Sequence, residues 1–329
     1  GPLPLIVLPH GGPEGRDYFD FDLLTQFLAT RGFAVLQVNF RGSSGYGLKW
    51  AEAGYRQWGG RMQDDVDDGV DALRKLVHQV SGIALADSKR VMLASRLASR
   101  LRQLGLPDFR TYRELLGSAA GMAAERQALI NAVTTNKTGF FRESHHFDFI
   151  GNTLVPALVE RARVTGKREI VIWSAACSTG QEPWTIAITL AERIPSPETW
   201  TVRMLATDID SEVLRRAEAA VYSGSDLEGL SSERLARHFE AVKGGSAPQY
   251  RVKESLRRMV TFRQLNFMDE RWPIKSAFDF VMCRNASIYF DAPTQQRLFN
   301  RLCDQLVPEG YLFVGHAEVL HWMGARMDA

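Results

Sequence analysis

Apolar positions along the chain fall into three successive patterns. Over residues 3–8 they form a short unbroken run, Phe21, Leu24, Phe27 and Leu28 then share one helical face, Gly32 stops that helix, and residues 33–38 form a second run. This predicts a strand, a helix and a strand, the start of a βαβ unit. Val66, Val70, Leu73 and Val77 keep helical phase across a seam near residues 71–76. Leu93, Leu97, Leu101 and Leu104 then line one face of a basic amphipathic helix that also carries Lys89, Arg90, Arg96, Arg100 and Arg102. Further helices at 112–116 and 123–133 complete an all-helical region. Beyond Lys167 the period changes again. "REIVIWSAACSTGQEP" is a β-branched run that breaks into small residues before a helix starting at Pro183, with Glu182 just ahead of it. A strand at 202–206 follows and ends in "TDID". Strand, loop and helix in alternation predict a doubly wound α/β sheet, interrupted between Val221 and Thr261 by short strand-like runs around a glycine turn.

Composition narrows the class. The 329 residues are 45% hydrophobic and 24% charged with a net charge of +2, which suits about two globular domains and gives no whole-chain nucleic-acid footprint. No apolar run approaches the ~18 residues of a membrane span, and no basic segment precedes the first apolar run as in a signal peptide. Cys177, Cys283 and Cys303 are odd in number and far apart, which argues against a disulfide framework or a Cys-x-x-Cys metal site and favours the cytoplasm. Beginning on Gly1, the chain reads as processed or partial.

"LPHGGPEG", "LATRGFAVLQVNFRGSSGYG" and "WGGRMQDDVDDGVDAL" resemble the opening of the catalytic domain of prolyl oligopeptidase family serine peptidases, over about residues 1–72. That resemblance implies an α/β-hydrolase fragment over 1–71. The family's nucleophile sits on a Gly-x-Ser-x-Gly elbow, and "GSAAG" and "GSSGYG" carry serine at the wrong offset, so the fragment is expected to be incomplete. His10, Arg41 and the acids Asp64, Asp65, Asp67 and Asp68 accordingly read as scaffold. Two strands and a helix bury too little apolar surface to stand alone.

The loop after that β-branched run holds a single glycine, Gly180, so it lacks the Gly-x-Gly-x-x-Gly spacing that admits a pyrophosphate. An acid at the tip of the second strand is placed for ribose hydroxyls. Adenosine without a diphosphate suggests S-adenosylmethionine. "SGIALADSKRVMLASRLASRLRQLGLPDF", "TTNKTGFFRESHHF", "WSAACSTGQEPWTIAITLAE", "ATDIDSEVLRRAEAAVY", "CRNASIYFD" and "GYLFVGHAE" together resemble the CheR-type chemotaxis receptor methyltransferases over about residues 72–325. The resemblance implies a helical N-terminal domain over 72–150 and an S-adenosylmethionine-binding domain over 151–329, with a small β-subdomain at about 222–262. It further implies transfer of a methyl group to receptor glutamates. By the same resemblance, cofactor contacts come from Asn136, Thr138, Arg142, Glu182, Asp208, Asn266, Phe267, Arg284 and Asn285, with Arg142 and Tyr289 beside the reacting carboxylate.

An ionised glutamate needs no general base, so positioning and a dry site are the main tasks. Phe140, Phe141, Trp173 and Trp184 are candidates for the dry wall, although plain core is their commoner use. Arg96 and Arg100 are candidates for steering the acidic substrate. Ala286 and Ser287 replace larger apolar residues of the family and are expected to loosen packing below Tyr289, and the family's last antiparallel strand is expected to be missing. The loop at 243–248 is long enough to dock a receptor tethering peptide, a partner that the resemblance implies for some members. Neighbouring His145 and His146 point about 100° apart on a helix, so no metal is expected. A serine peptidase and an inactive S-adenosylmethionine-binding module are the alternatives.

Overall fold

The computed structural model describes residues 74–84, 90–106, 109–243, 247–275 and 277–318. Before residue 74 it describes 5–7, 17, 22–31, 34–37, 39, 43, 45 and 49. Expectations for His10, Arg41, the Asp64–Asp68 acids and the chain beyond 318 lie outside these residues. Contacts divide the chain into two units, Gly1–Val133 and Thr134–Ala329. Residues 134–150, which the resemblance assigns to the helical domain, belong to the unit that holds the sheet.

In the first unit, β1 (Leu5–Val7) pairs in parallel with β2 (Ala34–Leu36), joined by α1 (Leu23–Thr30), as the βαβ pattern predicts. Asp22 caps α1 by accepting from the Thr25 amide. The helical face expected to be buried is open, with Leu24 53% and Phe27 49% exposed. The helical part comprises α2 (74–81), α3 (Arg90–Leu104), α4 (Phe109–Gly117) and α5 (Ala119–Val133). Leu93, Leu97 and Leu101 are buried on the predicted face of α3, against a core that includes Tyr112, Leu116 and Leu129.

The basic side of α3 has a packing task. Arg100 donates Nε and Nη2 to the two carboxylate oxygens of buried Glu125 at 2.8 and 2.7 Å, and Arg96 donates to the Val133 carbonyl. The steering role expected for Arg96 and Arg100 finds no support in these contacts, because both guanidinium groups are engaged within the helical unit. Arg100→Ala would strand the Glu125 carboxylate. A loss of about 2 kcal/mol in urea unfolding is expected, below the usual cost of breaking a buried pair because Arg100 is partly solvated. An unchanged midpoint would contradict this reading.

The second unit holds a five-stranded sheet of β3 (Glu169–Ala175), β4 (Thr201–Asp208), β8 (Val260–Gln264), β9 (Phe278–Cys283) and β10 (Leu306–Val314). The strands are parallel and lie in the order β10-β9-β3-β4-β8. Alternation sorts their side chains into two cores. Ile170, Ile172, Phe280 and Met282 face one side with α8 (Gln181–Arg193), while Trp173, Ala175, Val281 and Cys283 face the other with α12 (Ala292–Cys303). The π-helical turn Ile150–Leu154 links α6 (His145–Phe149) to α7 (Val155–Thr165).

Between β4 and β8 the chain forms α9 (Ser211–Ala219), a three-stranded antiparallel sheet, α10 (Ser232–His238) and α11 (Glu254–Arg257). The small sheet consists of β5 (Val221–Ser223), β7 (Gln249–Val252) and β6 (Phe239–Val242), in that order. Its predicted end at 262 comes too late, since β8 already belongs to the large sheet. Among the described residues, no helix is long and apolar enough to cross a membrane.

Candidate functional site

Strand order turns back between β3 and β9, so the loops leaving the C-terminal ends of neighbouring strands part there and open a crevice. The loop after β3 is tightly shaped. Ala176 and Ser178 take left-handed backbone conformations, and Gly180 follows at φ +94°. A Cβ on Gly180 would stand 2.8 Å from the Tyr222 hydroxyl, so glycine is required there. The helix α8 starts at Gln181, which places Glu182 inside its first turn and not ahead of it as expected.

Asp208 ends β4. Its Oδ2 accepts from the Ser178 amide at 2.8 Å and its Oδ1 from the Asp210 amide at 2.9 Å. Burial pushes its carboxyl up to about 6, against the pull of these backbone N–H groups. The Ile209 backbone N–H also favours the charged form, so backbone donors face three of a carboxylate's about four acceptor positions and about one is left for a ribose hydroxyl. Asp210 continues the turn: its Oδ1 caps α9, and its Oδ2 accepts from Thr134 Oγ1 at 2.7 Å and Asn136 Nδ2 at 2.8 Å. Asn136 is thereby tied to the acid turn, and its carbonyl accepts from the Ser178 hydroxyl. Thr138 lies half-buried in the same stretch.

Glu182 is the second buried acid. Its Oε1 accepts from Ser174 Oγ and its Oε2 from Arg284 Nε, both at 2.8 Å. Burial raises its carboxyl, and Arg284 and Ser174 pull it back down. Arg284 also donates Nη1 to the Arg142 carbonyl at 2.7 Å and lies over the Phe147 ring. Arg142 thus enters the cluster through its backbone, while its side chain donates to the Lys137 carbonyl. Asn285, at φ +57°, donates Nδ2 to Glu143 Oε1 at 3.2 Å. Tyr289 ends the half-buried 3₁₀ turn Ser287–Tyr289, four residues beyond Asn285. Asn266 is buried and accepts from the Met268 amide, and the Phe267 ring packs near Trp272 and Phe290. The structure thus brings Asn136, Asp208, Glu182, Arg142, Arg284 and Asn285 into linked hydrogen-bond networks at the strand ends.

Trp173, Trp184 and Phe140 are core residues, the commoner use expected of them: Trp173 Nε1 donates to Thr207, and the Phe140 ring meets Tyr222 and Phe239 edge-on. Other expectations change. Ser287 does not loosen its loop, since it is buried and its hydroxyl donates to Glu318 at 2.7 Å. The rings of His145 and His146 stand 4.1 Å apart, and ligand atoms of Glu143, His145 and His146 all fall within 4.8 Å of one another. Adjacency therefore does not separate them as expected. The Arg284 guanidinium lies 3.1 Å from His146 Nδ1, and burial together with that charge lowers this imidazole to about 4. A cation beside the ligand atom suits a metal poorly.

Sequence reasoning missed Asp210, Ser174, Glu143 and Glu318. Only Asp210 had a local signal, an acid immediately before a helix. The site fits an adenosine carrying no phosphate: a buried acid at the tip of the second strand, and a loop with one glycine after the first. The fold and this site define an S-adenosylmethionine-dependent methyltransferase.

Residues 136–327 match the family model for the CheR methyltransferase SAM-binding domain, and residues 68–134 match that for the CheR all-alpha domain. The chain belongs to the CheR methyltransferase family. It is 44% identical over 245 residues to the chemotaxis protein methyltransferase of Salmonella typhimurium, covering 74% of this chain and 81% of that protein. It is 40% identical over 243 residues to a probable chemotaxis protein methyltransferase of Rhizobium etli, covering 74% of this chain and 89% of that one. Residues 19–86 match the prolyl oligopeptidase family model, as the N-terminal motifs predict.

Proposed function

We propose that this protein transfers the methyl group of S-adenosylmethionine to glutamate side chains of chemotaxis receptors in the cytoplasm, forming methyl esters. The observation that carries the reading is the 284–289 loop. It anchors Arg284 on buried Glu182 and on the Arg142 carbonyl, and carries Asn285 and Tyr289 at the same strand ends. The relatives are named chemotaxis protein methyltransferases, which supports a substrate in chemotaxis.

In this reading Asp208 holds the ribose, and Asn136, Thr138, Glu182, Asn266, Phe267, Arg284 and Asn285 complete the cofactor shell. S-adenosylmethionine supplies an electrophilic methyl on a sulfonium. Arg142 and Tyr289 hold one oxygen of the accepting carboxylate, leaving the other free to form the new O–CH3 bond as the S–CH3 pair returns to sulfur. Charge is lost as carboxylate and sulfonium become ester and thioether, so exclusion of water favours the products' side. The protein's task is alignment, which needs no base.

Tyr289→Phe is expected to lower kcat roughly 10–100-fold, the scale of one lost hydrogen bond to a charged group, while calorimetric S-adenosylmethionine affinity stays within about twofold. Wild-type kcat in that variant would remove Tyr289 from the acceptor site.

The receptor tethering peptide is proposed for the small sheet. A cavity of about 610 Å3 there is lined by Leu227, Leu230, Leu235, Phe239 and Tyr250. An apolar lining beside open strand edges suits an extended peptide with aromatic side chains. The 243–248 loop expected to permit docking falls partly outside the described residues.

A further inference from the structure

Glu318 lies past the end of β10, outside every role assigned so far. Its side chain is 7% exposed, and all its partners are donors. Oε1 accepts from the Ala286 amide at 3.1 Å, the Ser287 amide at 2.7 Å and the Ser287 hydroxyl at 2.7 Å. Oε2 accepts from the Asn285 amide at 2.8 Å and the Gly315 amide at 2.7 Å. One carboxylate therefore gathers the successive N–H groups of residues 285–287 and pins them to the 315–318 turn, which is itself closed by the Glu318 amide donating to the Gly315 carbonyl. The two turns are pressed together: a Cβ on Gly315 would lie 2.5 Å from Asn285 Nδ2.

The loop is held from two sides: Gln295 Nε2 donates to the Ser287 and Phe290 carbonyls at 2.8 and 3.1 Å, and Glu318 takes the N–H groups of residues 285–287. Asn285 sits in the left-handed region, which costs energy and needs surrounding contacts to persist. The turn that follows ends on Tyr289, whose amide donates to the Ala286 carbonyl at 3.4 Å. Charge-assisted bonds from successive backbone N–H groups to a buried carboxylate are the strong, short kind.

We infer that Glu318 is a positioning residue for methyl transfer: by clamping residues 285–287 it fixes the Tyr289 hydroxyl against the accepting carboxylate. The inference rests on the proposed role of Tyr289. Glutamine cannot replace this glutamate, because its NH2 would face N–H donors whichever way the amide turned. Aspartate is one methylene short of spanning both turns.

The test is a cycle of Glu318→Gln and Tyr289→Phe on the full chain, assayed for kcat with a receptor cytoplasmic fragment. Alone, E318Q is expected to lower kcat about 30-fold, and in the Y289F background less than about threefold, because residues acting as one unit are not additive. A merely structural glutamate would give the same loss in both backgrounds, and that result overturns the inference. So does wild-type kcat in E318Q when Y289F is impaired. Wild-type kcat in Y289F would sink the role of Tyr289 and the inference with it, a different pattern from the failure of Glu318 alone. Should E318Q not fold, Ser287→Ala removes one donor and keeps the charge. It is expected to cost about fivefold in kcat, again lost in the Y289F background, and wild-type kcat there overturns the inference.

Discussion

Arg284→Ala is expected to destabilise the second unit by about 3–5 kcal/mol and to abolish measurable cofactor binding. The size follows from what stays behind. Glu182 is buried and holds one oxygen on Ser174 and the other on Arg284, so removing the guanidinium strands a carboxylate out of water. The same guanidinium also carries the Arg142 carbonyl, so the 134–142 stretch loses its tie to the loop after β9. Arg284→Lys keeps the charge but not the fork, and should recover only part of the loss. Urea unfolding with a wild-type midpoint in Arg284→Ala would show that Glu182 is supported elsewhere.

The second large effect is a pH dependence set by Asp208. Burial raises its folded value to about 6 from the ordinary 3.8, so the fold favours the protonated form. Its contribution to stability is fully present below 3.8 and is lost as pH rises through about 6. Ionisation in the free protein thus costs roughly 3 kcal/mol at neutral pH. Ribose hydroxyls donate best to the ionised carboxylate, so S-adenosylmethionine affinity should fall about tenfold between pH 7 and pH 5. Asp208→Asn should bind roughly 1.5–3 kcal/mol more weakly at pH 7 and lose that pH dependence. Calorimetry across this range decides it. A flat profile in the unsubstituted protein would move the ribose contact elsewhere.

Much of the second unit is legible in the sequence because its signals are local. A β-branched run marks β3, an acid at a strand tip marks Asp208, and one glycine in the first loop argues against a diphosphate. Residues meeting across the fold leave no such trace. The basic stripe of α3 reads as a charged surface until Glu125, twenty-five positions away, is seen to bind Arg100. Glu318 leaves no local mark because its donors are backbone groups thirty-one to thirty-three residues upstream and at Gly315. The small sheet's boundary was misplaced because β8 and the subdomain strands are equally short, and only pairing with β4 assigns β8 to the large sheet.

Methyl transfer to a receptor fragment tests the central claim most directly. The full chain, incubated with S-adenosylmethionine labelled in the methyl group and a receptor cytoplasmic fragment, should place label on glutamate side chains as a base-labile ester. A matched fragment with glutamine at the acceptor positions should take up none. Cofactor binding without transfer to the glutamate fragment would contradict the account and leave a folded binding module in place of an enzyme.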